Sequence, residues 1–287
     1  MHAIETIKLT KRYKLGWRKG EVLALNSLDL HVEAGEIYGL LGPNGSGKST
    51  TLKLILNLIL PTEGEARIFG RDCMTVGSRL DVGFLPENPY FYRYLTGAET
   101  LRFYGRLCGV PASQINKRIE ELLDLVGMTH ARNRRLSGYS KGMLQRIGIA
   151  QAMVHNPRLV LLDEPTAGVD PIGSRDIRDM ILQLKKMGKT VLLCSHLLEQ
   201  VQEVCDRISI LHRGRKIMEG HVQDLVSDQQ RTQIMVENLP AGQEAEIRRL
   251  IESKGATFLS AAHPQSTLES LFLDAVKKAK DNESSRS

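Results

Sequence analysis

At 287 residues, with 41% hydrophobic and 25% charged residues, the chain suits one large domain plus a small one and has ample length for a core. Its net charge of +6 is mild, and its basic residues form short clusters such as Arg12, Lys14, Arg18 and Lys19, or Arg132, Arg134 and Arg135, without the aromatic-interleaved stripe of a nucleic-acid binder. No stretch approaches the roughly 20 apolar residues of a membrane span, the N-terminus has no apolar signal core, and Cys73, Cys108, Cys194 and Cys205 lack metal or disulfide spacing.

Short apolar runs alternate with longer amphipathic ones along the chain. EIYGLL (36–41) reads as a strand, and a helix is predicted over 48–60, its greasy part from Leu52 to Leu60 buried. DVGFLP (81–86) is the next strand. Residues 90–157 hold no convincing strand; helices over 113–126 and 143–155 make this segment a helical insertion. Alternation resumes with strand RLVLLD (158–163), a helix over 172–187, strand TVLLCS (190–195), a helix over 197–205 and strand RISIL (207–211). Several of these strands are apolar throughout, as strands buried on both faces of a parallel sheet are. The layout is α/β.

After Val226 the composition changes, and 227–287 reads as a small accessory α+β domain. It comprises a strand TQIMVEN, a helix GQEAEIRRLIESKG, a strand TFLSA and a helix STLESLFLDAVKKAK that opens on a Ser266-x-x-Glu269 capping pattern. The tail DNESSRS reads as disordered.

GLLGPNGSGKST follows a predicted strand and opens a predicted helix, the context a phosphate loop requires. Its glycines, Gly42, Gly45 and Gly47, with Pro43, Asn44 and Ser46 between them, let backbone N–H groups close on phosphate oxygens. Lys48 then reaches the β- and γ-phosphates and the Ser49 hydroxyl ligates Mg2+. A chance match to this pattern arises about once in a hundred chains of this length, and the strand and helix around it lower that further. RLVLLDEP supplies the carboxylates: Asp163 for the metal shell and Glu164 for the water that attacks the γ-phosphate. His196, after the strand TVLLCS, is placed to donate to the γ-phosphate. In GYSKGMLQR a helix opens just past Ser140, whose hydroxyl and free N–H groups converge on an anion, whereas Ser137 and Gly138 belong to the preceding loop.

In this order, GPNGSGKST, YSKGMLQR, LVLLDEPTAGVDP and LLCSH make residues 4–225 resemble the nucleotide-binding subunit of an ATP-binding cassette (ABC) transporter. The family's signature falls on Tyr139 to Met143, and its distance to the acidic strand fits only the Ser140 register. The resemblance implies a phosphate-loop NTPase core with an antiparallel β subdomain and a helical subdomain over about 90–157, within an ATPase domain of residues 1–226. It implies ATP and Mg2+ as ligands. Tyr13 matches the aromatic that stacks on adenine, and Lys48, Ser49 and Thr50 serve the phosphates and metal. Asp163 and Glu164 match the metal and general-base pair, and His196 the switch histidine. Ser140 and Gly142 would bind the γ-phosphate held by a second copy, and Ala167 to Asp170 would cross the dimer interface.

The chain departs from the family pattern at Lys141 and Met143 (Gly and Gln are commoner), at Val169 (usually Leu) and at Glu87, which stands where the Mg2+-sensing glutamine is usual. FLPEN and TLESLFL resemble the branch serving ABC-2-type exporters. The resemblance implies a homodimer on the inner face of the plasma membrane, bound to a separate transmembrane permease. Six of the chain's 14 aromatics (Tyr90, Phe91, Tyr92, Tyr94, Phe103 and Tyr104) crowd into 90–104 and are expected to form part of the groove for that partner. The rival reading is a soluble ABC-type ATPase acting on ribosomes or DNA, but the chain carries neither a second cassette nor a coiled-coil or zinc insertion.

Overall fold

The computed structural model describes residues 1–14, 20–226, 240 and 242–259, which fall in two units, Met1–Val226 and Ser227–Ser287. The first unit opens with β1 (His2–Lys14), β2 (Glu21–Glu33) and β3 (Ile37–Leu41), then α1 (Lys48–Ile55), β4 (Glu63–Ile68), β5 (Arg71–Asp72) and β6 (Val82–Leu85). A helical segment follows: α2 (Gly97–Leu107), α3 (Ala112–Leu125) and α4 (Lys141–Ala152). It continues through β7 (Leu159–Asp163), α5 (Pro171–Lys186), β8 (Thr190–Ser195), α6 (Leu198–Val204), β9 (Arg207–His212), β10 (Arg215–His221) and α7 (Val222–Val226).

Two sheets result. One has the order β2-β1-β4-β5, with every pairing antiparallel. The other has the order β10-β9-β3-β8-β7-β6, parallel from β9 to β6 and antiparallel only in the β9–β10 hairpin. β3, β7 and β8 are buried at every position, so strand alternation divides their side chains between two cores. Tyr38, Leu40, Leu159, Leu161, Leu192 and Cys194 face α1 and the antiparallel sheet. Ile37, Leu41, Val160, Leu162, Val191 and Leu193 face the core that includes the helical segment. The α/β class and the helical insertion expected from the sequence are both present.

The helix expected over 48–60 stops at Ile55. Asn57 takes a left-handed backbone (φ 51°), its N–H bonds the Leu54 carbonyl, and the Leu58 N–H bonds the Lys53 carbonyl. That pattern closes a helix, with Asn in the place glycine usually takes. Leu58 and Leu60, expected to be buried, are consequently 62% and 58% exposed. The sequence reading had also passed over α2, although Thr96 and Glu99 form a full capping box at its start.

Of the second unit, α8 (Glu244–Ser253) lies within the predicted GQEAEIRRLIESKG helix and has no buried residue. Thr257 to Leu259 carry no strand. The strand TQIMVEN, the end of TFLSA, the helix from Ser266 and the tail lie outside the described residues, as do Arg18 and Lys19.

Candidate phosphate site

The loop from Gly42 to Gly47 leaves β3 and turns into α1. Gly47 precedes α1 at φ 113°, and no side chain caps the helix, so its first N–H groups stay free for an anion. A Cβ at Gly47 would meet Leu25 Cδ2 at 2.7 Å, and one at Gly42 would meet the Leu211 carbonyl at 2.3 Å. The crest of the loop, Pro43 to Gly45, is exposed, while Ser46, Gly47 and Lys48 are buried and Ser49 and Thr50 half-buried.

Lys48 Nζ donates to the Gly42 carbonyl at 2.6 Å and lies 3.4 Å from Glu164 Oε1, an ion pair without hydrogen-bond alignment. Glu164 Oε2 meets His196 Nδ1 at 2.8 Å. His196 therefore faces the carboxylate expected to be the general base. Asp163 ends β7 beside β8, and burial pushes its carboxyl above the usual range. The Ser49 hydroxyl opposes that shift, while the charges of Glu164 and Glu87 add to it. Ser49, Lys48, Asp163, Glu164, His196 and Glu87, distant in sequence, thus meet at the C-terminal edge of the parallel strands, where α/β sheets bind ligands.

Glu164 reaches this edge through a left-handed backbone at φ 49°. Ser46 Oγ, Asp163 Oδ1 and Glu164 Oε1 are buried without a hydrogen-bond partner among the described residues. A hydroxyl, a buried carboxylate and unpaired oxygens suit a hard divalent cation.

The remaining expected residues lie elsewhere. Ser140 is the N-cap of α4, its exposed hydroxyl accepting from the Met143 N–H at 3.3 Å, and Gly142 lies against Val169. Ser137 sits in a short 3-10 turn, its N–H bonded to the Arg93 carbonyl. Tyr139 turns inward and donates to the Ala131 carbonyl at 2.7 Å. Asp170 caps α5 by accepting from the Gly173 N–H at 2.9 Å. No hydrogen bond or ion pair among the described residues joins Ser140 or Asp170 to Lys48, Asp163 or Glu164. Tyr13 is half-buried on β1 opposite Val22, just before the Ala24 and Leu25 positions of β2 that abut Gly47.

Of the aromatic cluster, Tyr90, Tyr92, Tyr94 and Phe103 are exposed, while Phe91 and Tyr104 pack on the core. An open groove of about 460 Å³ runs along α2, lined by Leu95, Glu99, Arg102, Phe103, Arg106 and Leu107. Of these, Phe103 is among the residues expected from the sequence, and Arg102, Arg106 and Leu107 are not. Their signal was the unread helical repeat of α2.

A profile described as ABC transporter matches residues 25–167. The chain is 43% identical to an ABC transporter ATP-binding protein of Nostoc sp. (strain PCC 7120 / SAG 25.82 / UTEX 2576), over 82% of this chain and 71% of the relative. It is 39% identical to the daunorubicin/doxorubicin resistance ATP-binding protein of Streptomyces peucetius, over 88% of this chain and 75% of the relative. Among solved structures, a dimeric ATP-binding cassette in a post-hydrolysis state bound to ADP and Pi is similar with a TM-score of 0.69 at 28% identity. That likeness covers 76% of this chain and 98% of the other.

Proposed function

This chain belongs to the ABC transporter family as an ATP-binding, ATP-hydrolysing subunit, and from that premise we propose how its residues divide the work between two copies. Lys48 and the free N–H groups of α1 take the β- and γ-phosphates. Tyr13 stacks on adenine, and Thr50 supports the phosphate end. Ser49, Asp163 and Glu87 hold Mg2+, which when bound neutralises charge on the phosphate oxygens. Glu164 accepts the proton of the attacking water, and His196, 2.8 Å from its carboxylate, orients that carboxylate before nucleotide enters and then donates to the γ-phosphate.

One observation carries the two-copy reading. The phosphate cluster sits at the sheet edge, while Ser140 opens a capped helix on the surface with no bond to that cluster. Each chain therefore offers two half-sites, and Ser140 with Gly142 completes the site of a second copy, the Ala167–Asp170 turn lying at the interface. ATP joins the pair, hydrolysis removes the bridging charge, and the copies part. In the E164Q variant MgATP is expected to convert the single chain into a stable pair on size-exclusion chromatography, with turnover lost. An E164Q chain that stays single in saturating MgATP overturns the reading.

The energy is proposed to go to a separate transmembrane permease, a reading supported by the relatives' names as ABC transporter ATP-binding proteins; no helix of the described residues is long and apolar enough to cross a membrane. The groove on α2, with exposed Tyr90, Tyr92, Tyr94 and Phe103 around it, is the docking face for a cytoplasmic segment of that partner. With such a partner the subunit would work at the inner face of the plasma membrane. Export is supported by the drug-resistance relative and the FLPEN and TLESLFL segments. No observation favours ribosome or DNA action, and no direct nucleic-acid contact is expected. The division into an ATPase domain of 1–226 and a small accessory domain over 227–287 is likewise proposed.

A further inference from the structure

Three positions on the line of β6 meet three positions of α4. A Cβ on Gly83 would lie 2.1 Å from the Ala152 carbonyl oxygen, and one on Gly148 would lie 2.4 Å from Leu85 Cδ1. Past the end of the strand, Gln145 Nε2 donates to the Glu87 carbonyl at 3.0 Å. Positions 83, 85 and 87 keep the two-residue repeat of a strand face; 145, 148 and 152 keep the three- and four-residue repeat of a helix face. At the first point only glycine leaves room for the approach; at the second, an added methyl would press on a side-chain tip. At the third, the join is one hydrogen bond.

Gln145 is 1% exposed, and its Oε1 has no partner among the described residues. A buried amide with an unsatisfied end is costlier than an apolar side chain of the same volume, so packing alone does not account for it. Its two attachments are informative. Glu87 lies close enough to Asp163 for its charge to act on that carboxyl. Ser140 caps the same helix five residues earlier, about 7.5 Å along its axis.

We propose that Gln145 is a positioning residue that couples the two nucleotide sites of a pair. It fastens the backbone of Glu87, at the phosphate end of its own site, to the helix whose Ser140 end meets the nucleotide of the second copy. A displacement of Glu87 when nucleotide binds is carried to Ser140 through this bond and the Leu85–Gly148 contact. The proposal rests on the composite-site reading above and names the residue that links its two halves.

The full-length chain tests it through Q145L, which keeps volume and removes the donor, and Q145E, which keeps shape and places a carboxylate against the carbonyl. ATP affinity is measured at dilutions where the chain is single, and ATP-driven pairing in the E164Q background. With Glu164 intact, kcat, KM and the Hill coefficient for ATP are measured. Single-chain affinity is expected to stay within about twofold, while pairing needs about three- to tenfold more ATP. The kcat falls by a similar factor at near-constant KM, and the Hill coefficient moves towards one. An unchanged pairing midpoint overturns the proposal, as does an equal loss in single-chain affinity, which would make Gln145 part of its own site. If Q145L melts below the assay temperature, Q145M replaces it under the same criteria. Failure of E164Q itself to pair overturns the composite site and this proposal together, whereas failure confined to the Gln145 variants overturns only the coupling.

Discussion

Lys48 and Glu164 face each other at 3.4 Å with side chains only 6% and 9% exposed. The cation proposed for phosphate is therefore paired with the carboxylate proposed to accept the proton of water. In the proposed mechanism ATP exchanges one partner of Lys48 for another, which frees Glu164 for the proposed proton transfer. Removing one member of a buried pair strands the other, at a cost of about 3–5 kcal/mol. Lys48→Met is accordingly expected to lower the unfolding free energy by an amount near the bottom of that range, because His196 still contacts Glu164. The Lys48→Met/Glu164→Gln double variant should recover most of the loss. Denaturant melts of the nucleotide-free protein check this, and a double variant no more stable than Lys48→Met contradicts the pairing.

The raised pKa of Asp163 gives a pH dependence of known sign. Burial, Glu164 and Glu87 all favour its protonated form, and a proton there competes with a cation. The Mg2+ concentration for half-maximal ATP hydrolysis is expected to climb as pH falls through the raised Asp163 value. In E87Q one of the charges sustaining that value is gone, so the climb should begin at lower pH. Mg2+ titrations from pH 8 downward separate the two, and identical profiles would remove Glu87 from the metal environment.

The β6–α4 contact predicts an order of damage. At Gly83 an added methyl meets backbone oxygen at 2.1 Å, whereas at Gly148 it meets the tip of Leu85, a side chain that can turn aside. G148A is expected to cost about 1–3 kcal/mol and G83A more, because a carbonyl cannot yield without moving α4. Thermal melts rank the two, and the reverse order would contradict the contact.

The groove on α2 makes a separable prediction. Phe103→Asp with Leu107→Asp alters two exposed side chains far in sequence from the phosphate loop. ATP affinity and E164Q pairing should be unchanged, while co-purification with the transmembrane permease is lost. Retained co-purification would place the docking face elsewhere.

Much of the site was legible because its chemistry demands fixed residue types at fixed spacing. Gly42 to Thr50, Asp163 and Glu164 could be read without a structure, and so could Ser140, since capping requires a hydroxyl just before a helical repeat. What escaped was local geometry that overrides periodicity. β1 and β2 were not read as strands: Lys8 and Ser27 take left-handed backbones and the pairing register slips, breaking the two-residue alternation. β10 went unread beside them because its face is mostly exposed. The end of α1 depended on Asn57 acting as glycine does, and the importance of Gln145 on which carbonyl its amide meets. Neither is carried by composition.

Consecutive residues of an extended chain project to opposite faces, so Asp163 and Glu164 could not both serve one pocket if β7 ran straight on. The left-handed kink at Glu164 swings its carboxylate round to join its neighbour. That conformation carries a cost of about 1–3 kcal/mol in a residue with a side chain. Glycine at 164 would relax the backbone but leave the Lys48 ammonium buried without its carboxylate, a loss of about 3–5 kcal/mol that outweighs the relief. The strained turn and the buried charge it presents thus stand or fall together.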